Sequence, residues 1–291
     1  MSKCFDLAME KIKKAYIDLY ESDHHIISVF VVGSMAMEQY TERKYNDYDI
    51  RCVVDEFTPE TFERVNNAIE NCIKDVSTDE SIGIASSDLV GPVNHHVTNK
   101  ENNILIHSMV HTVDDMISFL PLTHKYMYGN GYMMVCGKDI IAELKLKDAR
   151  YTLKDIIEGY EGINYCIEMI TNKTHRYSRY EVIEDKCVFV PYEIAADLHI
   201  QYENCFYSAL KNIGNLRNHD LCLGLEINSS LYEYGKRVLL SVGYTDFDFL
   251  DILLKKDEAR ISKYSDFGAC AVTLLENLRK YVEQRIENQA K

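Results

Sequence analysis

Two acids two residues apart, Asp47 and Asp49, open the run Asp47-Tyr48-Asp49-Ile50-Arg51-Cys52-Val53-Val54. On a strand, residues i and i+2 project from one face, which brings the two carboxylates close together. Like charges that close repel each other and lose hydration unless a cation lies between them. Magnesium suits such a pair, because it takes oxygen ligands, keeps some waters and completes its octahedron with phosphate oxygens. Upstream, the β-branched run Ile26-Ile27-Ser28-Val29-Phe30-Val31-Val32 ends at Gly33-Ser34, with twelve residues between Ser34 and Asp47. Glycine lets a backbone approach an anion closely, and N–H groups at the start of a helix, with the Ser34 hydroxyl, can face a phosphate. One element is thus expected to hold phosphates and the next to hold the metal that neutralises them. Each half alone also reads as an ordinary turn or a solvated strand edge. Their conjunction carries the argument.

The elements that must position these residues follow from periodicity. Phe5, Leu7, Ile12, Tyr16 and Leu19 recur at helical spacing, so residues 3–22 read as an amphipathic helix. Strands are expected over 26–32 and 48–54, with one or two helical turns over 35–40. Thr58-Pro59-Glu60 then starts a helix that runs to about 76. Residues 77–92 read as loop, 93–97 and 104–111 as paired strands, and 132–137 as a short strand before Lys138-Asp139 and a further helix. Beyond about residue 150 strand signals nearly vanish, and helical patterns cover 153–172, 192–216, 231–257 and 267–289. The expected fold class is α+β: a catalytic domain over 1–148, with a sheet and flanking helices, then a helical bundle domain over 149–291.

Composition narrows the function. The formal net charge is -14, whereas an extended nucleic-acid footprint needs clustered Lys and Arg, so nucleic-acid binding is disfavoured and a small neutral or cationic partner favoured. None of the nine cysteines is spaced as CxxC, which removes a zinc ribbon or thioredoxin-type motif. The opening MSKCFDLAMEKIKKAY carries no apolar signal core, and no stretch reaches the roughly 18 to 20 apolar residues of a membrane span. A soluble cytoplasmic protein with free thiols is expected. His107 and His111 would pair on a helix, but on a strand they lie about 13 Å apart and cannot share a metal. The basic aromatic stretch 173–180 reads as an interhelix loop. Glu193, Asp197 and Glu203 are carboxylates that could meet an aminated substrate.

Val32-Gly33-Ser34 followed by Asp47-Tyr48-Asp49-Ile50 resembles the signature of the polymerase-β-like nucleotidyltransferases: an apolar residue, Gly, Gly or Ser, a spacer, then Asp, apolar, Asp or Glu, apolar. A catalytic half followed by a helical half is similar to the antibiotic (aminoglycoside or lincosamide) nucleotidyltransferases in particular. The resemblance implies in-line transfer of a nucleoside monophosphate, AMP by preference, from a nucleoside triphosphate to a hydroxyl of a small-molecule acceptor. Pyrophosphate would leave. Asp47 and Asp49 would hold one or two Mg²⁺ ions, and Gly33 and Ser34 would contact the outer phosphates. The superfamily adds a third carboxylate on a neighbouring strand, yet residues 104–111 contain no acid. His107 is the candidate base in its place, with Glu101, Asp114 and Asp115 as others. The alternatives are transfer to tRNA, protein or a second nucleotide, and a catalytically silent nucleotide-binding regulator. Expected partners are the triphosphate and a hydroxylated small-molecule acceptor, with pairing of two copies left open.

Overall fold

The run rich in β-branched residues forms β1 (Ile26–Val32), and all of it except Ile27 is buried. Such a strand must be covered on both faces and both edges, and it is. In the computed structural model, which describes residues 3–36, 46–76, 83–86, 103–118, 131–145, 150–255, 257–262 and 264–289, β1 lies between β2 (Asn46–Val54) and β5 (Met133–Gly137), antiparallel to both. β4 (Asn103–Thr112) runs parallel to β2 on its other side, and β3 (Gly83–Ser86) parallel to β4, giving the order β3-β4-β2-β1-β5.

Alternation along β2 sorts its side chains between two layers. Tyr48, Ile50, Cys52 and Val54 join Val29, Val31, Ile106 and Val110 beneath Ile12, Tyr16 and Leu19 of α1 (Lys3–Ser22) and Val65 of α2 (Pro59–Val76). In this layer the Tyr16 hydroxyl donates to Ser108 Oγ at 2.8 Å. α2 starts where expected, with Thr58 Oγ1 accepting the Thr61 N–H at 3.2 Å. On the opposite face Phe30, Val32 and Val53 pack with Met116 of α3 (Val113–Ser118) and with Ile140 and Ile141 of α4 (Ile140–Glu143). Asp49 and Arg51 therefore fall on this second face.

The chain divides into two compact units, 1–149 with 177–192, and 150–176 with 193–291. The second is helical: α5 (Leu153–Asn172), α6 (Leu198–Cys222), α7 (Leu231–Ser241), α8 (Phe247–Leu254), α9 (Glu258–Ile261) and α10 (Phe267–Gln289). Ile163, Cys205, Ile213, Leu239, Leu250 and Leu274 are among its buried core.

The architecture is α+β, and four details differ from the sequence reading. The loop expected over 173–180 is instead β6 (Thr174–Ile183), paired with β7 (Lys186–Ala195). Their turn places Glu184 and Asp185 at φ 50° and 58°, a left-handed pair without the glycine that usually announces it. The helix expected from 192 begins at Leu198, where Asp197 caps it by accepting the Ile200 N–H at 2.8 Å. The single helix expected over 231–257 breaks at Gly243, whose φ is +90°. β3 lies inside the stretch read as loop, and β4 pairs with β2 and β3, while residues 93–97 lie outside the described residues. Among the described residues no helix is long and apolar enough to cross a membrane. Cys52, Cys136, Cys166, Cys187, Cys205, Cys222 and Cys270 are free thiols.

Two glycines of α5 test its packing with opposite signs. A Cβ on Gly159 would stand 2.3 Å from Oδ1 of Asn212, a buried side chain tied to the Ser208 carbonyl at 2.8 Å, whereas a Cβ on Gly162 would meet nothing within 4 Å. In denaturant unfolding, Gly162→Ala should stabilise by about 0.5–1 kcal/mol through helix propensity. Gly159→Ala should destabilise by about 1–3 kcal/mol through overpacking. Equal shifts for the two would contradict the close α5–α6 approach.

Three histidines, two buried and His111 half-buried, set the pH response. Burial pushes His111 down to about 4, with the Arg51 guanidinium adding to the shift. Burial also lowers His175, and it lowers His219 beside Arg285. An unfolded imidazole titrates near pH 6.5, so below that value the unfolded chain binds more protons than the folded one. The stabilisation is complete above about pH 6.5 and is lost as pH falls toward 4. His25, raised by its hydrogen bond to Asp55, acts in the opposite sense but is solvent-screened. Unfolding at pH 5 should show a loss of about 2 kcal/mol from His111 relative to pH 7.5. His111→Gln should flatten that part of the curve, and an unchanged slope would remove His111 from the account.

Candidate active site

The β1–β2 register pairs Val32 with Asp49, so the end of β1 and the start of β2 occupy the same edge of the sheet. Beyond Val32 the chain turns into a short 3₁₀ segment, Gly33–Ala36, with Gly33 at φ +74°. A Cβ on Gly33 would lie 2.4 Å from Asp49 Oδ2 and 3.4 Å from its Cγ. The bend thus rests directly on the Asp49 carboxylate, which is partly exposed. Asp47 stands two residues earlier on β2, with Leu105 as its register partner. His107 of β4 is the register partner of Asp49 itself. The structure joins Gly33 to Asp49 by contact and places Asp47 and His107 by backbone position. The side chains of Ser34, Asp47 and His107 lie outside the described part.

The donor chemistry fits magnesium. Asp49 offers carboxylate oxygens where the missing Cβ of Gly33 leaves the backbone of the bend against it. Among the described residues no three His, Cys, Asp or Glu side chains gather around one point. A site built on a carboxylate pair leaves coordination positions to water and phosphate, as Mg²⁺ requires and a structural zinc site does not.

The other flank of the bend is formed by the start of β5. Gly131, at φ +130°, brings its Cα close enough that a Cβ would stand 3.4 Å from the Ala36 carbonyl oxygen. The next residue, Tyr132, packs edge-on against Phe30 with ring centroids 6.1 Å apart at 74°. Its hydroxyl donates to the Asp139 carboxylate, 2.6 Å from each oxygen. Asp139 also accepts the Ala142 N–H at 3.0 Å and so caps α4. Burial and the Asp139 bond push the Tyr132 phenol up to about 12, which keeps it a donor. Sequence reasoning passed over Tyr132, because nothing in Gly131-Tyr132 marks it until β5 is laid beside β1.

Other candidates acquire structural partners. Asp115 Oδ2 accepts the Thr112 N–H at 2.9 Å, while Thr112 Oγ1 accepts the Asp115 N–H at 3.1 Å, a reciprocal cap of α3. Asp114 is exposed in the same first turn, and Glu101 lies outside the described residues. Since 103–112 is a strand, His107 and His111 are about 13 Å apart along it and share no ion. Glu193 pairs with Arg176 at 2.5 Å, and Arg176 also reaches Glu168 at 2.7 Å and lies over the Tyr165 ring. Asp197 caps α6, and Glu203 is buried 3.5 Å from His199. The three carboxylates read as substrate contacts therefore have work inside the helical unit.

The sequence matches no protein-family model and no curated protein. A mixed sheet with flanking helices followed by a helical half is an architecture this chain shares with solved structures. One of them is spectinomycin adenyltransferase AAD(9) from Enterococcus faecialis, crystallised with ATP and spectinomycin. The two superpose with a TM-score of 0.53 over 95% of this chain and 98% of that one, at 11% identity, so what they share is the fold.

Gly33→Ala should force a left-handed residue to carry a Cβ into the Asp49 carboxylate, at a cost of about 1–3 kcal/mol. Combining it with Asp49→Ala removes the clash but not the strain, so the double variant should recover on the order of 1 kcal/mol relative to additivity. Strict additivity in a denaturant double-mutant cycle would show that bend and acid do not touch.

Proposed function

We propose that the chain is a Mg²⁺-dependent nucleotidyltransferase that passes AMP from ATP to a hydroxyl of a small-molecule acceptor, an aminoglycoside-like antibiotic being the acceptor class. The observation that carries this reading is the 2.4 Å approach of a Gly33 Cβ position to Asp49 Oδ2, because it makes the phosphate-type bend and the metal-type acid one site. A carboxylate pressed against an anion-binding turn would repel a phosphate unless a cation joined them. The shared fold with an adenyltransferase crystallised with ATP and an antibiotic supports the same class of substrates.

In this assignment residues 1–148 are catalytic and 149–291 recognise the acceptor. Gly33 and Ser34 hold the outer phosphates through backbone N–H groups and the serine hydroxyl. Asp47 and Asp49 hold the metal, which when bound supplies neutralisation of charge on the phosphoryl oxygens and the leaving pyrophosphate. The acceptor oxygen forms its bond to the α-phosphorus as the bond to the pyrophosphate oxygen breaks. His107, opposite Asp49 on β4, takes the hydroxyl proton in place of the acid that residues 104–111 lack.

With ATP, Mg²⁺ and a panel of aminoglycoside-type acceptors, pyrophosphate release should fall at least about a hundredfold in Asp47→Asn and in Asp49→Asn. His107→Gln should cost on the order of a hundredfold and remove the acid limb of the rate profile. ATP binding without release across the panel would favour a silent nucleotide-binding regulator, the reading that the missing strand acid motivates. Transfer of label to RNA or protein fractions instead would move the acceptor class.

A further inference from the structure

β1 separates two elements that share one face of the sheet. On one side Asp49 pairs with Val32, and on the other Met133 pairs with Val31, so Tyr132 continues the β5 ladder beside Val32. Phe30, Val32 and Tyr132 belong to the same packed layer, on the face where Asp49 also falls. Gly131 carries the chain against the Ala36 carbonyl at the end of the phosphate-type bend. A partly exposed aromatic ring therefore stands one strand across from the acid and directly beside the bend.

The ring is held at two points. It packs at 74° to the ring of Phe30, and the hydroxyl is held by both oxygens of Asp139, itself fixed by capping α4. A ring held by a packed neighbour and at its hydroxyl loses little rotamer freedom when a flat partner stacks on it, and every nucleobase offers such a partner.

We infer that Tyr132, oriented by Asp139, is the platform on which the nucleoside of the triphosphate stacks, the triphosphate tail lying on the Gly33-Ser34 bend. This deepens the nucleotidyltransferase reading and rests on it. The ligand class is a nucleoside triphosphate recognised through its ring system as well as its phosphates. Stacking discriminates poorly among flat bases and strongly against a tail that carries none.

The chain contains no tryptophan, which permits a direct test. Tyr132→Trp places a single indole at the platform, and ATP with Mg²⁺ should quench its emission while inorganic tripolyphosphate with Mg²⁺ should not. In calorimetry, Tyr132→Leu should weaken ATP on the order of ten- to a hundredfold and leave tripolyphosphate within about twofold. Tyr132→Phe keeps the ring, should bind ATP nearly as the wild type does, and serves if the leucine variant fails to fold. Equal losses for ATP and tripolyphosphate in Tyr132→Leu, or an indole indifferent to bound ATP, would overturn the platform while leaving the bend and acids in place. No ATP binding to the wild-type chain would overturn both.

Discussion

The arrangement of the N-terminal unit depends on an atom that is not there. Gly33 turns the chain at φ +74° in a space where a Cβ would stand 2.4 Å from Asp49 Oδ2. Two requirements fall on one residue: a left-handed backbone, which L side chains avoid, and contact with a carboxylate, which a side chain would block. Only glycine meets both. The consequence is electrostatic as much as steric. The turn lies against a carboxylate, so any anion brought to it would meet a like charge at contact range. A cation between them would reverse the sign of that encounter, and a carboxylate is an oxygen donor of the kind Mg²⁺ takes.

The sheet makes this apposition a matter of register. β1 and β2 are antiparallel, so the end of one is the start of the other, and the Val32–Asp49 pair fixes both at one edge. A one-residue slip would turn Asp49 into the layer beneath α1 and α2 and bring Tyr48 out. Tyr48, Ile50, Cys52 and Val54 resist that slip, since all four are fully buried. The hydrophobic layer under two helices is thus what holds an acid on the opposite face. Arg51, buried on that second face, lies near enough to His111 to help keep its imidazole neutral. The acid face therefore carries a buried cation close to its carboxylate end.

Most of this was legible because it is periodic or local. α1, β1, α2, α5 and α10 follow from apolar spacing and caps within a residue or two, and the bend and acids from their types and separation. What escaped was non-local or unmarked. The β6–β7 hairpin turns on Glu184 and Asp185, two acids in left-handed conformations where Gly or Asn would have signalled a turn. β3 has four residues, too few for alternation to stand out from loop. Tyr132 acquires meaning only when β5 is placed beside β1 and Asp139 is seen to cap α4. No spacing rule links residues 30, 36, 132 and 139.

The same difference bears on the acidic residues of the helical unit. Read as sequence, Glu193, Asp197 and Glu203 resemble a surface that could greet an amine. In the structure an arginine, a helix N-terminus and a histidine occupy them, and Asp220 is likewise held by Arg285 and by the Tyr234 hydroxyl at 2.7 Å. A carboxylate already satisfied in this way gains little from a second cation and loses its structural bond in the exchange. Attraction of any cationic ligand would then belong to the summed field of a chain with net charge -14 rather than to these side chains. A field of that kind speeds encounter and weakens with salt, but it selects by charge alone. Selection among cations of similar charge must come from shape and hydrogen bonding at the point of contact, where the field no longer discriminates.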